Sequence, residues 1–454
     1  MAGINKAQQN NLDRLHKKQH VVVIGGGFTG LAAAYELALH GIGVTVIEED
    51  VEIGGLAGSF QVGDEKLEKF YHHWFVSDKH ITQIIKEMKK ESSIIRRSVS
   101  TAVYYEKQVY PLSSPLALLL FKPLSFKNRL RLAMQMIHVH TLNNWKNLDH
   151  QTAERWLIKT GGKEVYRVLW RPLIHGKFGS FASKISALWI WNKLKLRGGS
   201  RAWDGKEVLF YYRHGFAALA KRIADEIEAR GGNILRREKA ICLLTKDGKI
   251  TGVKTTKGTI KADAIIATMA LPKIGKLLKP FVLKEYLASL LRIKYLANIC
   301  VVLELNRSLS NIYWLNVNDS DFPFVGVIEH TNFEPSKTYG GKHIVYLSKY
   351  LSEKDKLYKA KDSQVAEYCF PYLKQIYPAF RKDWIVDFHV WRARFAQPVV
   401  EHGYKELIPP TDTPLKGFYI STMAQIYPED RGINYAIREG RRVARHIMNI
   451  GEKK

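Results

Sequence analysis

The sequence predicts an α/β protein: a discontinuous parallel-sheet domain interrupted by an inserted α+β domain with an antiparallel sheet and a helical segment. Three observations carry this. The β-branched run Val21-Val22-Val23-Ile24 leads through a glycine turn and an Ala/Leu-rich helical stretch to a second buried run, Val44 to Ile47. Nucleotide-fold segments return near Gly215 and near Gly417. Between these segments lie strands without that rhythm and a Trp-rich helical tract.

Taken in order, Val21 to Ile24 forms a strand, Phe28 to His40 a helix ended by Gly41, and Val44 to Ile47 a strand closed by Glu48. The tract from Lys79 to Gly205 reads as helical. Ser125 is placed to cap a helix whose apolar positions are Phe126, Leu130, Met134 and Ile137, beside Lys127, Arg131, Gln135 and His138. Phe216, Leu219, Ile223 and Ile227 share a later helical face, stopped by Gly231-Gly232. A strand follows, then the hairpin signal Asp247-Gly248 and the strand Ile260 to Ala267. Ala297–Leu305, Phe322–His330, Ile344–Leu347 and Trp384–Val390 read as strands of an antiparallel sheet. Gly417 to Ser421 is a last strand, followed by a helix from Ile433 to about Met448. The expected organisation is a first domain from segments 18–78, 206–274 and 411–454. A helical segment, 79–205, and an antiparallel-sheet segment, 275–410, are inserted between them.

Lys plus Arg number 70 against 43 Asp plus Glu, a formal net charge of +27 in 454 residues. Such an excess suits an anionic partner or a basic proteome background. No recognition motif accompanies the charge, so nucleic acid is not expected. The three cysteines, Cys242, Cys300 and Cys369, are far apart and odd in number, which argues against a disulfide framework or a zinc site. Met1 to Gln19 is polar and lacks the apolar core of a secretory signal. The apolar run Pro115 to Phe121 is too short to span a bilayer. These features suit a cytoplasmic chain, with the inner face of the membrane as a candidate location. From Ser113 to Leu142, an apolar run leads into a basic amphipathic helix, which suits an anionic membrane surface or a core helix with a solvated face.

The turn after the first strand is Gly25-x-Gly27-x-x-Gly30, followed by Glu48 at the end of the second. Gly25 permits the turn, Gly27 lets a pyrophosphate approach the backbone, and Gly30 allows close helix packing. The amides at the helix start, from Phe28 and Thr29, meet the phosphate. Glu48, with Glu49 beside it, is placed to accept hydrogen bonds from ribose hydroxyls and to repel a 2′-phosphate. The domain is therefore of the Rossmann type, built for a dinucleotide. A second glycine pair, Gly54-Gly55, with Leu56 and Ala57 after it, offers another close approach along an extended dinucleotide.

The run Val21 to Phe60 resembles the start of the flavin amine oxidase superfamily, which includes protoporphyrinogen oxidases, phytoene desaturases and monoamine oxidases. Gly215-Phe216, the strand around Asp263 and Gly417-Phe418-Tyr419-Ile420-Ser421 resemble later segments of that family in the same order. The resemblance implies FAD as cofactor and hydride transfer from a small-molecule or lipid-linked substrate onto the flavin. Where many members carry Arg after the glycine pair this chain has Leu56. Where many carry Asp after the last strand it has Ser421-Thr422-Met423. Ser421 and the loop Pro428 to Gly432, with Arg431, Gly432 and Ile433, are then the expected contacts for the flavin half.

Tyr71-His72-His73-Trp74-Phe75 corresponds to a stretch that runs beside the flavin ring in the family. It is also similar to UDP-galactopyranose mutases, redox-neutral enzymes in which an aromatic-flanked histidine sits beside the flavin; His73 is the counterpart. His72 and His73 are thus catalytic candidates, or partly buried histidines with satisfied hydrogen bonds. Adjacent residues on a strand point apart, so a shared metal is not expected. The basic stretch Arg171 to Gly179 offers Lys177 as an anion or flavin contact and Arg171 as a substrate contact, or is a solvated basic loop. Arg392 and Arg394, two apart on a strand, are placed to grip a phosphate, or are surface arginines. A third reading is a non-enzymatic carrier resembling Rab GDP-dissociation inhibitors. The intact glycine set argues against it. Substrate, electron acceptor and oligomeric state are left open by the sequence.

Overall fold

The computed structural model describes residues 19–111, 115–198 and 207–452. The expectations for Met1 to Lys18, for Ser113 and for Gly199 to Gly205 lie outside the described residues.

Five short strands form a parallel sheet: β1 (His20–Ile24), β2 (Gly43–Ile47), β3 (Asn233–Leu235), β4 (Ala264–Ala267) and β5 (Phe418–Ile420). Their spatial order is β3-β2-β1-β4-β5. Strands far apart in sequence thus meet: Val22 pairs with Ile265, and Ile266 with Tyr419. Nearly every residue of β1, β2 and β4 is buried, which is why they read as unbroken β-branched runs. The helices Phe28–Leu39 and Ile433–Glu452 pack closely against each other. A Cβ on Gly440 would lie 2.1 Å from the Thr29 carbonyl oxygen, so no larger residue fits that contact.

The second sheet has seven strands, in the order Ile385–Pro398, Tyr295–Leu305, His343–Leu351, Gly326–Glu329, Trp314–Val317, Thr101–Tyr105 and Gln108–Pro111. Neighbours are antiparallel except Trp314–Val317 against Thr101–Tyr105, which run parallel. The antiparallel sheet expected from the sequence is present, with two strands contributed by the tract read as helical. That reading needs correcting for 94–111, where Ile94–Val99, Thr101–Tyr105 and Gln108–Pro111 are strands. Their period-2 alternation is masked, because Thr101–Tyr105 is buried on both faces. The helices of this tract are Lys79–Glu87 before those strands and, after them, a series that begins with Pro115–Leu119.

The helix Phe126–Thr141 forms where expected, with Ser125 at its N-cap position, and its apolar stripe is not the face that meets the core. Leu132, Gln135 and Val139 are buried, whereas Phe126, Leu130, Met134 and Ile137 face solvent. Gln135 is satisfied inside: its amide nitrogen donates to Leu157 O and Thr160 Oγ1, and its oxygen accepts from Trp170 Nε1 at 2.9 Å. A buried amide with all these partners costs little, so the polar residue turned inward. Among the described residues, no helix is long and apolar enough to cross a membrane.

A glycine cradle beside a cation-lined cavity

The helix Phe28–Leu39 opens directly from β1 through Gly25-Gly26-Gly27. No side chain caps it and no acidic residue lies in its first turn. The first-turn amides of Phe28, Thr29 and Gly30 have no intrahelical acceptors and carry the positive end of the helix dipole. Gly27 bridges to Gly54 in a short parallel contact. A Cβ on Gly55 would stand 3.1 Å from the Gly27 Cα, and one on Gly30 would collide with the Gly25 carbonyl oxygen at 1.9 Å. The two glycine turns therefore form one cradle of bare backbone. Glu48 sits at its edge, accepting from the Gly26 amide at 2.7 Å and the Asp50 amide at 2.8 Å. Burial raises its pKa, partly offset by those two amides. Glu49 does not join it; its carboxylate pairs at the surface with Lys273 and Lys239. Ala57 is buried behind the second turn and Phe28 packs edge-on against Phe216.

Next to the cradle lies a cavity of about 350 Å³. Leu56 lines it from the cradle side, and Asp430, Arg431, Gly432 and Ile433 line it from the loop before the last helix. Asn298 and Ser348, from central strands of the seven-stranded sheet, hydrogen-bond to each other in its wall. Opposite them stand Lys177 of the helix Arg171–Phe178 and Trp189, Lys193 and Arg197 of the helix Ala187–Gly198. The Arg171–Gly179 stretch is thus mostly helix rather than loop.

Charge is concentrated at one point. Asp430 accepts from Lys177 Nζ at 2.7 Å and from Lys193 Nζ at 2.6 Å, and Arg431 follows it in the chain. Burial alone would raise the Asp430 pKa. Lys177, Lys193 and Arg431 outweigh it and hold the carboxyl well below the usual range. Burial lowers both lysines, with Lys193 brought to about 8. Lys177 also lies over the Trp189 ring at 4.8 Å. The Arg431 guanidinium donates to Gln397 Oε1 and to the Tyr350 hydroxyl.

The sequence-predicted residues divide clearly. His72, His73, Lys177, Leu56, Arg431, Gly432 and Ile433 come together around the cavity. His73 Nδ1 is 2.9 Å from the Tyr313 hydroxyl, and His72 Nδ1 bonds the Phe70 carbonyl. Burial pushes His73 down to about 3 and His72 to about 4, so both are neutral at neutral pH. Ser421 is fully buried and its hydroxyl donates to the Glu439 carbonyl, away from the cavity lining. Arg171 is exposed on the first turn of its helix, outside the lining. Arg392 and Arg394 also stand outside it. Arg392 is bonded to Tyr358 O, Ala360 O and Asp362, and Arg394 to Glu353. The shared side expected for them is the outer one; Ala393 and Ala396 of the same strand turn to the cavity. Arg171, Arg392 and Arg394, expected as substrate contacts or as surface arginines, thus do not line this cavity.

Sequence reasoning missed Trp189, Lys193 and Tyr350. A Trp and a Lys at i and i+4 share a helix face, but nothing local says that this face borders a cavity. It also missed Glu68, buried and bonded to the Tyr211 hydroxyl and the Phe216 amide.

The cradle fits an adenine dinucleotide: bare backbone for the pyrophosphate, free first-turn amides, and a carboxylate at the ribose position. The indole N–H of Trp74, buried in the cavity wall, has no hydrogen-bond partner among the described residues and is open to an acceptor. Fold and cradle together define a dinucleotide-dependent flavoprotein. The family model for flavin containing amine oxidoreductases matches residues 28–448, and the chain belongs to that family, whose cofactor is FAD. A protoporphyrinogen oxidase of Nicotiana tabacum is 26% identical over 184 residues, 38% of this chain and 35% of that protein. The match thus spans about a third of that relative. Among solved structures, an oxidoreductase from Methanosarcina mazei has a TM-score of 0.73 at 19% identity, covering 95% of this chain and 100% of the other. A reduced UDP-galactopyranose mutase also scores 0.73, at 15% identity, covering 95% and 96%. At these identities the structures show a shared fold.

Proposed function

We propose that this protein is an FAD-dependent oxidoreductase acting on a substrate with an apolar body and an anionic group. FAD, when bound, supplies the two-electron acceptor for a hydride from a C–H or C–N centre, and an oxidant such as oxygen or a quinone takes those electrons afterwards. The observation that carries the substrate class is one carboxylate, Asp430, paired to two cations, Lys177 and Lys193, with the charge of Arg431 beside it. This excess of positive charge favours a carboxylate or phosphate beside them. Trp189, Trp314, Tyr71 and Tyr350 offer aromatic surface for the apolar body. In this reading Gly25, Gly27, Phe28, Thr29, Gly30, Glu48, Gly54 and Gly55 hold the ADP half, and Arg431 to Ile433 approach the flavin half. Neutral His73, fixed by Tyr313, orients substrate rather than carrying charge.

A redox-neutral second reading draws on the same charge, since a nucleotide sugar carries a diphosphate, and on His73 among aromatic rings. One experiment separates them. Purified protein carrying FAD is mixed anaerobically with a carboxylate-bearing porphyrinogen, with putrescine and with UDP-galactopyranose. The oxidoreductase reading expects the porphyrinogen to bleach the visible flavin absorbance and the dication putrescine to leave it unchanged. Lys193→Met should raise KM for the anionic substrate at least about 10-fold, the scale of losing a charge-assisted contact, while Arg394→Ala leaves it unaltered. Turnover of the sugar nucleotide by pre-reduced protein, without net electron loss, would favour the second reading. A colourless protein that takes up no FAD would end both.

A further inference from the structure

The apolar stripe of the helix Phe126–Thr141 is turned to solvent. Phe126 is 66% exposed, Met134 59% and Ile137 64%, with Leu130 between them and Leu120, 63% exposed, just before the helix. The stripe follows the i, i+4, i+8, i+11 spacing of one helical face, on a helix of 16 residues, about 24 Å long. A core helix with a solvated polar face shows the reverse, so simple packing does not account for it.

The charge carried by this stretch of chain has one sign, and Glu164 of a neighbouring helix is engaged by the Ser125 amide and Asn128 at the helix start. From Lys107 to Leu148 the chain has no Asp or Glu and six Lys or Arg: Lys107, Lys122, Lys127, Arg129, Arg131 and Lys146. Lys122, Lys127 and Arg131 are exposed beside the stripe, and among the described residues no carboxylate forms an ion pair with them. A second copy docking this face to itself about a two-fold axis would bring like charges together. An anionic bilayer supplies both halves of the complement: acyl chains for the stripe and headgroup phosphates for the cations.

We infer that residues 119–141 form a docking surface for an anionic lipid bilayer, with the helix lying in the plane of the headgroups. The surface is joined to the cavity wall through the helix's inner face. The Val139 carbonyl accepts from Trp191 Nε1 at 2.9 Å, and Trp191 stacks on Trp145. Trp191 belongs to the helix that carries Trp189 and Lys193 into the cavity. Docking therefore sets the cavity's helical wall next to the membrane. This inference does not depend on the oxidoreductase reading, and its test uses no turnover.

The full-length, FAD-loaded protein is sedimented with vesicles of phosphatidylcholine alone and of phosphatidylcholine with about a third phosphatidylglycerol, a fraction giving an anionic surface. Stronger pelleting on the anionic vesicles, by at least about 10-fold and weakened by salt, is expected. The variant Phe126→Ser/Met134→Ser/Ile137→Ser alters only exposed side chains. It should keep its flavin spectrum and melting temperature and lose that binding about 10-fold or more. Lys127→Glu, which keeps the stripe, should lose the preference for anionic vesicles. Failure of the native protein to pellet on either vesicle overturns the inference. So does equal pelleting of the triple variant. A native dimer that the triple variant converts to monomer, without vesicle binding, assigns the face to a second copy instead.

Discussion

In the cradle, Gly25, Gly27, Gly30, Gly54, Gly55 and Glu48 fall within one short stretch, and the shape is made by main chain. In the cavity, Leu56, His73, Lys177, Lys193, Tyr350 and Asp430 come from distant segments, and the shape is made by side chains. The first kind of site depends on what is absent, a Cβ; the second depends on partners finding each other across the fold. A cradle should therefore fail abruptly on adding one carbon, while a cavity should respond through charge balance and pH.

The largest effect is expected at Gly30. Gly30→Val places a side chain where even a Cβ would lie 1.9 Å from the Gly25 carbonyl oxygen. The backbone fixes the position of both atoms, so no rotamer relieves the clash. The turn must open, costing about 1–3 kcal/mol or more, and the first-turn amides move off the pyrophosphate. Flavin content, read from visible absorbance against protein absorbance, should fall at least about 10-fold, beyond the scale of one ordinary contact. Full retention of FAD would break the contrast, because the cradle would then not be the place of close backbone approach.

Asp430→Asn probes the cavity in the other sense. It keeps the shape and removes the carboxylate shared by Lys177 and Lys193 and neighboured by the Arg431 charge. With the Asp430 side chain about a fifth exposed (21%), the uncompensated cations should cost about 3 kcal/mol, the low end for a buried pair. Urea unfolding at neutral pH measures this. The sign with pH follows from the lowered pKa. Asp430 contributes stability above the ordinary carboxylate value of about 4 and loses it as pH falls toward its folded value. The variant should therefore lack that part of the native acid-induced loss. Equal acid sensitivity in both proteins would show that Asp430 does not hold the cluster.

The same contrast explains what the sequence disclosed. β1, β2 and the cradle were legible because βαβ spacing and glycine positions are local consequences of backbone geometry. The parallel order β3-β2-β1-β4-β5 was legible only as recurring segments, since strand order is a long-range property. Lys177 was found because its stretch is unusual in composition, and Lys193 was missed because its helix is not. For the helix Phe126–Thr141 the periodicity gave two faces and left open which one meets the core; the fold turns Gln135 inward and Ile137 to solvent. Arg392 and Arg394 shared a side as the pleat requires, and only the fold decides that the side is the outer one.

Glu68 gives the smallest and most selective effect, and it separates burial from charge pairing. Like Asp430 it is a buried carboxylate, but among the described residues no cation pairs with it. The Tyr211 hydroxyl donates to one oxygen at 2.8 Å and the Phe216 amide to the other at 2.6 Å. Burial raises its pKa from 4.5 to about 7, against the pull of those two donors. The folded protein therefore keeps a proton that the unfolded chain releases between 4.5 and about 7. The contribution is fully present below the unfolded value and is lost as pH rises through that window, opposite in sign to Asp430. Glu68→Gln fixes a neutral group in the same volume. Its carbonyl oxygen can still accept from the Phe216 amide, and the Tyr211 hydroxyl can turn to accept from the new amide. The variant should gain about 1–2 kcal/mol over the native protein at pH 8, less than the full shift because one hydrogen bond is rebuilt. Below the unfolded value the two should be equal within that rebuilding cost. Stability measured against pH for both proteins decides it. Parallel curves across the window would mean that Glu68 does not change protonation on folding, and that its two donors alone outweigh its burial.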